Sequence, residues 1–354
     1  MFLLKLSLID PAGSQRSCVA DYYQAQTVAR SLDKAIERDV GGSMTRRAEG
    51  PHKTSIVDVF LKDPKLSKDW QVRGVTRDAT KESSKKLAAR GVEVVSADVH
   101  NKRSVVAAMT GAHTVYAVTN YWDPSIMNKE KDVAVGKDLA DAAKETGVEH
   151  YIWSSLKHVT RLSNGALSNV HHFDSKAEIE DYIRAQKIPA TFFLPGFYMS
   201  NLSFGMLSNQ FPSGDWTLSM PVPASAPVPL FDAAEDTGKF VKAIVLNREK
   251  LLSKQVLGAT SYMKLSEILE TFKNTFPVVG AKASYFEVPK DMYLDMMAKS
   301  GMPAPLELYE NMRLLNDFGY YGGESLDASH KILEDKLTSL EDFFRKTKPF
   351  ADLK

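Results

Sequence analysis

The stretch LKDPKLSKDWQVRGVTRDATKESSKKLAARGVEVVSADV (residues 61–99) decides the fold class of this chain. It predicts two short strands, at residues 71–76 and 92–98, joined by a helix at residues 81–91 that ends at Gly91 as its C-cap. Parallel strands need a crossover connection of this kind, usually a helix. The strands are apolar on both faces, which is typical of a parallel sheet covered by helices on each side.

The same alternation of strands and helices continues along the chain, five times in all. It predicts an α/β fold with a Rossmann-like, doubly wound parallel sheet. Residues 1–52 pattern poorly and predict an atypical leader, whereas residues 53–205 predict the nucleotide-binding domain. Residues 206–354 predict a smaller mixed α/β lobe that closes over the cleft and returns the chain to the main sheet. Within this lobe, the proline- and serine-rich residues 211–230 predict an irregular loop.

The composition excludes several classes of function. A net charge of +1 gives no basic excess for direct nucleic-acid binding. No apolar run approaches the ~20 residues that span a bilayer. The single cysteine, Cys18, excludes an internal disulfide and fits a reducing compartment. The histidines lack the spacing of a metal site, and the sequence contains neither a G-x-S-x-G elbow nor a Walker loop.

Ligands of such sheets bind at the carboxyl ends of the strands, so the residues just after each strand carry the functional prediction. Arg77 follows the strand at residues 71–76, and Lys81 lies one turn into the next helix. A basic pair at this corner favours the 2′-phosphate of NADP(H), whereas an acidic residue would bind the 2′-hydroxyl of NAD. Asp78 weakens this preference, and a solvated surface corner is the alternative.

The next two strand ends carry further candidates. Asp98 and Val99 follow the third strand of the sheet, where Asp98 either faces the adenine edge of a nucleotide or caps the following helix. Asn120, Tyr121 and Trp122 follow the fourth strand, where they either lie along a cofactor or pack in the core.

Ser154 follows the fifth strand, and His172 and Lys176 begin the next helix on one face. Short-chain reductases have Tyr-x-x-x-Lys at this position, where the tyrosine donates a proton and the lysine holds the ribose. Here a histidine replaces the tyrosine. The ammonium of Lys176 disfavours a charged imidazole, so we expect a weak proton source. His172, Lys176 and Ser154 are the candidate catalytic residues, with a solvated helix start as the alternative.

Several strings in this order resemble one known family. They are VRGVTRD (72–78), VTNYW (118–122), GKDLADAAKETGVEHYIWSSL (136–156), HFDSKAEIEDYIR (172–184) and LPGFYMSNL (194–202). Together they resemble the NmrA-like family over residues 54–354, and more closely its branch of NADPH-sensing regulators. The resemblance implies an atypical short-chain-dehydrogenase fold that binds NADP(H) and usually lacks the active-site tyrosine. It also implies regulation of partner proteins in the cytoplasm and the nucleus.

The resemblance assigns cofactor contacts by position. Arg77 and Lys81 would hold the 2′-phosphate, and Lys176 would hold the ribose. The other implied contacts run along the cofactor and flank its nicotinamide: Thr119, Asn120, Tyr121, Trp122, Phe197, Tyr198 and Asn201.

Family members begin with a strand and a G-x-x-G-x-x-G loop whose backbone amides bind the pyrophosphate. Here that loop is missing, and His52 and Lys53 stand where a glycine belongs. Side chains at these positions would block the approach of the phosphates. The string MFLLKLSLI (residues 1–9) predicts a strand that fills the gap in the sheet, but no phosphate loop follows it. We therefore expect a substituted leader and weakened NADP(H) binding.

Two functions follow from these observations. The first is an NADP(H)-responsive redox sensor that regulates an unidentified protein partner, without contacting nucleic acid or membrane. The alternative is an NADPH-dependent oxidoreductase of a small carbonyl or isoflavone-like substrate, which the retained Lys176 and Ser154 favour. A chain that binds no nucleotide is a third reading, and a homodimer is left open.

Overall fold

The structure is a computed structural model. It describes residues 2–8 and 18–19 as backbone, and residues 55–209 and 213–353 with their side chains. The positions at which the glycine loop is expected, including His52 and Lys53, lie outside the described residues, and so does most of the predicted leader.

Strands and helices alternate through the first part of the described chain and mix more freely after it. The strands are β1 (Phe2–Leu8), β2 (Cys18–Val19), β3 (Trp70–Thr76), β4 (Glu93–Ser96), β5 (Thr114–Ala117), β6 (His150–Ser154), β7 (Ala190–Pro195), β8 (Phe197–Tyr198), β9 (Leu207–Ser208), β10 (Thr217–Met220), β11 (Pro227–Phe231), β12 (Gln255–Gly258), β13 (Ser261–Lys264) and β14 (Ser284–Glu287). The helices are α1 (Ser55–Lys62), α2 (Leu66–Asp69), α3 (Glu82–Ala88), α4 (Lys102–Met109), α5 (Lys129–Glu145), α6 (Val159–Leu162), α7 (His171–Ala185), α8 (Ala233–Leu246), α9 (Arg248–Leu251), α10 (Leu265–Thr275), α11 (Lys290–Lys299), α12 (Pro305–Asp317), α13 (Asp327–His330) and α14 (Leu340–Lys346). A π-helical turn lies at Leu202–Met206 and a 3-10 turn at Phe350–Asp352.

In the part of the chain that the structure describes, eight strands form the main sheet, in the order β12-β7-β6-β5-β1-β2-β3-β4. β3 and β4 run parallel to each other, and so do β5, β6, β7 and β12. The strands β5, β6 and β7 are buried along almost their whole length, as a sheet covered on both faces requires. This arrangement confirms the predicted α/β fold with a parallel sheet.

β1 lies between β3 and β5 and runs antiparallel to both. Its ladder with β3 pairs Phe2 with Thr76 and Leu8 with Trp70. The strand predicted at residues 1–9 therefore lies at the gap in the sheet, but it runs against its neighbours. Because β1 ends opposite the first residue of β3, the chain leaves it at the amino edge. Nucleotides bind such sheets at the opposite, carboxyl edge.

The C-terminal lobe adds two three-stranded sheets, ordered β14-β10-β9 and β13-β11-β8, while β12 joins the main sheet beside β7. The prediction of an irregular loop at residues 211–230 is wrong, since β10 and β11 lie within it. Pro227 and Pro229 pair with β13, whereas β8 pairs only with Leu230 and Phe231. The prolines thus lie where one side of the strand carries no ladder, so their missing N–H groups cost little.

Helix α1 packs on α8 at a point where only glycine fits. Oγ of Ser55 donates a hydrogen bond to the carbonyl oxygen of Glu235 (2.9 Å) and accepts one from the backbone N of Gly238 (2.9 Å). A Cβ atom on Gly238 would collide with the carbonyl oxygen of Ser55. This close approach fixes the amino end of α1 at the carboxyl edge of the sheet. None of the described helices is long and apolar enough to cross a membrane.

We expect Gly238→Ala to lower the free energy of unfolding by about 1–3 kcal/mol. The added methyl group meets the backbone of Ser55, which cannot move aside as a side chain can by changing its rotamer. The matched control is Gly136→Ala in α5. There the added methyl group meets the fully buried side chain of Ile179, so we expect a loss there as well. A second control, Gly74→Ala in β3, meets only Cγ1 of Val92 at an ordinary contact distance of 3.5 Å and should change stability little. Urea denaturation measures all three variants. A loss in Gly238→Ala no larger than that in Gly74→Ala, or a more stable Gly238→Ala variant, would contradict this account of the contact.

Candidate functional site

An ion pair joins the ends of β3 and β5. Nη1 of Arg77 lies 3.6 Å from Oδ2 of Asp123, and the side chain of Arg77 is 49% exposed. Lys81, at the amino end of α3, is also exposed. Burial alone would raise the pKa of Asp123, but hydrogen bonds from Ser125 and the charge of Arg77 lower it below its usual value. Arg77, which follows β3, is therefore bound to Asp123 in the loop after β5, while its guanidinium group stays accessible to a ligand.

Asp78, next to Arg77, is turned towards its own loop. Its Oδ1 accepts hydrogen bonds from the backbone N (2.9 Å) and the Oγ1 (2.6 Å) of Thr80. These hydrogen bonds lower the pKa of Asp78. The carboxylate of Asp78 therefore stays charged and is bonded within its own loop, and its effect on the preference for a 2′-phosphate stays a prediction.

Asp98 is not the cap of the helix that follows it. The cap of α4 is Asn101, whose side chain accepts a hydrogen bond from the backbone N of Ser104 (3.3 Å). Asp98 instead accepts one from the backbone N of His100 (3.0 Å) and is exposed, while Val99 is buried. The capping alternative is therefore wrong, because the chain makes one more turn before the helix begins. The contact of Asp98 and Val99 with adenine stays a prediction.

Buried polar side chains follow β5. Thr119 is 1% exposed, and its Oγ1 has no hydrogen-bond partner among the described residues. Asn120 beside it is also buried. A buried hydroxyl without a partner costs about 1–3 kcal/mol. Thr119 is therefore the kind of group that a ligand at the carboxyl edge would satisfy.

The loop after β5 meets the first turn of α7 in a cluster of aromatic rings. The ring centroid of His172 lies 5.0 Å from that of Trp122, 5.9 Å from that of Tyr121 and 4.8 Å from that of Phe173. The Tyr121 and Trp122 rings are 5.1 Å apart and edge to face. The structure thus brings together two groups of predicted site residues, one after β5 and one on α7.

A carboxylate from the C-terminal lobe closes this cluster. Oε1 of Glu307, on α12, accepts hydrogen bonds from the backbone N of His172 (2.7 Å) and pairs with its Nδ1 (2.6 Å). Oε2 of Glu307 accepts a hydrogen bond from the hydroxyl of Tyr121 (3.2 Å). Glu307 is only 3% exposed. Burial and the nearby carboxylate of Glu307 raise the pKa of Tyr121, so its hydroxyl stays protonated.

Glu310, one turn further along α12, makes a second contact of the same kind. Its carboxylate accepts hydrogen bonds from the backbone N (2.8 Å) and Nδ2 (2.7 Å) of Asn169, just before α7. Sequence reasoning missed both glutamates. One sequence feature could have indicated them. Glu307 and Glu310 lie on the same face of α12 as the buried Leu314, and charged residues on a buried helix face require partners.

Lys176 is fully buried in an ion pair. Its Nζ lies 2.7 Å from Oδ2 of Asp132 on α5, and the two side chains are 1% and 0% exposed. Oγ of Ser175 donates to the same oxygen (2.6 Å), while Oδ1 of Asp132 has no partner among the described residues. The indole N–H of Trp153 donates to the carbonyl oxygen of Lys176 (3.1 Å). The helix start is therefore not the solvated surface that was the alternative, and the ribose contact of Lys176 stays a prediction.

The serines after β6 differ in their partners. Oγ of Ser155 donates to Oε2 of Glu180 (2.6 Å), which commits it to the interior of the protein. Ser154 is buried at the last position of β6. A catalytic role for Ser154 stays a prediction.

The predicted nicotinamide-flanking residues follow β7. Phe197 and Tyr198 form β8, which pairs with the end of β11, and Phe197 is buried. Tyr198 is half-buried, with its ring 6.1 Å from that of Phe231. Asn201 lies at the start of the π-helical turn and is half-buried. Their contact with a nicotinamide stays a prediction.

Arg77 and Lys176, on which the nucleotide prediction depends, belong to one edge of the sheet. Arg77 pairs with Asp123, whose neighbour Trp122 contacts His172, and Lys176 lies one turn further along α7. This continuous set of contacts runs from the end of β3 to the first turns of α7. It forms a strip along the carboxyl edge of the sheet, with a cation at one end and a histidine–carboxylate pair at the other.

A sequence model of the NmrA-like family matches residues 48–344. This chain belongs to the NmrA-like family. Among curated relatives, the NmrA-like oxidoreductase malD of Malbranchea aurantiaca is 29% identical over 61% of this chain and 67% of its own length. An NmrA-like protein of Dictyostelium discoideum is 26% identical over 82% of this chain and 93% of its own.

Solved structures share the fold of this NmrA-like chain. The negative transcriptional regulator NmrA, solved in complex with NADP, superposes with a TM-score of 0.65 at 21% identity, covering 79% of this chain and 88% of its own. The triphenylmethane reductase of Citrobacter sp., solved with NADP(H), superposes with a TM-score of 0.63 at 18% identity, covering 84% and 96%. At these identities the likeness shows the fold alone.

We expect Asp132→Ala to destabilise the protein by about 3–5 kcal/mol, because it leaves the ammonium of Lys176 buried without its counter-charge. The double variant Asp132→Leu with Lys176→Met removes both charges and should recover most of this loss. The matched control is Asp295→Ala, which breaks an exposed pair with Lys299 and should change stability by at most about 0.5 kcal/mol. Urea denaturation measures all three.

A loss in Asp132→Ala no larger than that of the exposed control would contradict the buried ion pair. A double variant as unstable as Asp132→Ala would show that the cost comes from packing and not from the unpaired charge.

Proposed function

We propose that this chain binds NADP(H) at the carboxyl edge of its main sheet and acts as a nucleotide-responsive regulator through a protein partner. The residues at this edge fit the cofactor: Arg77 is accessible, Asp78 is already bound by Thr80, and the buried hydroxyl of Thr119 lacks a partner. The related structures solved with NADP(H) support the same assignment. We propose the cytoplasm and the nucleus as its place of action.

The cofactor would lie with its 2′-phosphate on Arg77 and Lys81, because guanidinium and ammonium groups form strong charge-assisted bonds with phosphate. Its middle would pass Thr119 and Asn120, and its nicotinamide would lie near the first turns of α7. When bound, it would supply a hydride for reduction or report its own redox state. β1 ends at the amino edge of the sheet, opposite the edge where the pyrophosphate would lie. We therefore keep the expectation of weakened binding.

The regulatory role is supported by a short series of contacts that links Glu307 to exposed apolar side chains on the protein surface. α12 places Glu307 in the cleft, and it packs on α11 through Tyr309 and Tyr293, whose rings are 6.1 Å apart. α11 exposes Met292 (45%) and Met296 (38%) on its outer face. Exposed apolar side chains next to a ligand cleft are suited to a protein contact that responds to the ligand.

The second candidate is the NADPH-dependent reductase of a small carbonyl or isoflavone-like substrate. One observation favours it. Where a short-chain reductase has its tyrosine, this chain has a histidine held by a buried carboxylate, Glu307. Curated relatives described as oxidoreductases add weight to this reading.

We expect Arg77→Ala to weaken NADPH binding by about 10- to 100-fold, which corresponds to the loss of one charge-assisted bond to the 2′-phosphate. NADH binding should change little, because NADH lacks that phosphate. Lys85→Ala, on the exposed face of the same corner, is the matched control. Titration followed by nucleotide fluorescence measures each affinity. Equal losses for NADPH and NADH would remove Arg77 from the 2′-phosphate site.

The regulatory role is tested by affinity recovery of partners on the full chain loaded with NADPH or with NADP⁺. We expect at least one protein whose recovery depends on the nucleotide and is lost in the double variant Met292→Glu with Met296→Glu. Asp291→Ala, on the same exposed helix, is the control that should keep the partner. If the same partners are recovered with NADPH and with NADP⁺, and also with the double variant, the regulatory proposal is wrong.

A further inference from the structure

The two ring nitrogens of His172 have different surroundings. Nδ1 pairs with Oε1 of Glu307 at 2.6 Å, and the backbone N of His172 donates to the same oxygen at 2.7 Å. Since a carboxylate accepts hydrogen bonds, this geometry places a proton on Nδ1. The described residues form no hydrogen bond with Nε2. Nε2 is therefore the nitrogen that remains for a ligand.

His172 lies in the first turn of α7, at the carboxyl edge of the main sheet. α7 connects the carboxyl end of β6 to the amino end of β7, so its first turn lies at the edge where ligands bind. The rings of Trp122 and Phe173 pack around the imidazole and hold its orientation. A ring fixed in this way needs little reorganisation when a substrate arrives.

The charges around His172 differ from those expected from the sequence. The ammonium of Lys176, which was expected to disfavour a charged imidazole, lies 2.7 Å from the carboxylate of Asp132 and is neutralised by it. Glu307 faces the ring directly, and Tyr121 contributes a protonated hydroxyl that donates to Glu307. Glu307 thus provides a hydrogen-bond acceptor directly on the ring. The expectation of a weak proton source stays a prediction, and the structure adds that Lys176 is paired with Asp132.

We propose that His172 donates the proton when a carbonyl substrate is reduced in this cleft, and that Glu307 is the positioning residue that orients it. The proposal rests on the second candidate function, the NADPH-dependent reductase. It is compatible with regulation, because a protein that oxidises its own NADPH changes the nucleotide state that its partner senses.

The step balances in atoms and electrons. The carbonyl carbon of the substrate takes a hydride, with its two electrons, from a reduced nicotinamide nucleotide. The π electrons of the C=O bond move to the oxygen, and that oxygen takes the proton from Nε2 of His172. The products are an alcohol, an oxidised nucleotide and a neutral imidazole whose Nδ1–H remains bound to Glu307. A proton from water restores the imidazolium.

The competing interpretation is that the pair of His172 and Glu307 only fastens the C-terminal lobe to the main domain. The two interpretations differ in what a hydride acceptor without a proton requirement would show. The central carbon of a triarylmethyl cation dye takes a hydride and needs no proton. A carbonyl compound needs both. A proton donor therefore matters for one acceptor only, whereas a structural tie matters equally for both.

The experiment measures NADPH oxidation by the full chain with a triarylmethyl cation dye and with a panel of small aromatic aldehydes and ketones. In His172→Gln we expect carbonyl turnover to fall by about 100-fold or more, the usual effect of losing a general acid, with dye reduction retained. Glu307→Gln keeps an oxygen acceptor but no charge, and should lower kcat for carbonyls with little change in KM. Asp317→Asn, which neutralises an exposed carboxylate at the far end of the same helix α12, is the matched control and should keep most carbonyl activity.

A second measurement needs no nucleotide. With ¹⁵N-labelled histidine, NMR of the free protein should show Nδ1 of His172 protonated, and thermal unfolding should show each variant folded. Carbonyl activity unchanged in His172→Gln, equal loss with both acceptors, or a bare Nδ1 would overturn the proposal. So would a wild-type chain that binds NADPH but reduces no carbonyl, an outcome that leaves nucleotide binding and regulation standing.

Discussion

The carboxylate of Glu307 joins the C-terminal lobe to the first turn of α7, in addition to the β7–β12 ladder and the packing of α1 on α8. It lies 135 residues from His172 along the chain, yet it binds the backbone and the ring of that residue and the hydroxyl of Tyr121. A buried carboxylate without partners would cost several kcal/mol, so the C-terminal lobe is stable in this position only while the main domain supplies those donors. The shape of the inner end of the cleft is therefore a property of both halves together.

A second buried charge at the centre of the main domain is also neutralised by a partner. Lys176 and Asp132 are buried as a pair on adjacent helices, and Ser175 supports the shared oxygen. Low-dielectric surroundings strengthen such contacts and penalise any member left alone. Helix α7 is thus anchored through its first turn by Glu307 and one turn later by Asp132. The groups that the cleft presents are held rigidly, while the guanidinium of Arg77 at its outer end remains half exposed.

Local sequence patterns predicted most of the main domain, because its strands are short apolar runs and its helices end at residues that mark their termini. Gly91 has a positive φ angle (89°) where the sequence placed a helix end, and Gly111 and Gly147 (72° and 68°) follow the ends of α4 and α5 in the same conformation. The strand ends that precede Arg77 and Tyr121, and the helix start that carries His172, followed from the same pattern. The pairing of those residues did not, since Asp132 and Glu307 meet their partners across 44 and 135 residues. A local pattern carries no information about such distant partners. β11 was not predicted because it contains prolines, which usually indicate a loop. They are tolerated here because the side of the strand at Pro227 and Pro229 that faces away from β13 carries no ladder.

The reversed direction of β1 bears on how freely the amino terminus of this protein can change. Backbone hydrogen bonds of either direction complete a sheet, so the gap between β3 and β5 accepts a strand for its apolar, extended character and not for its orientation. The entropy of closing the intervening chain grows only with the logarithm of its length, by about 0.6 kcal/mol for each doubling. Apolar, extended segments at very different distances along the chain would therefore serve as this strand, and the sheet would still close around them.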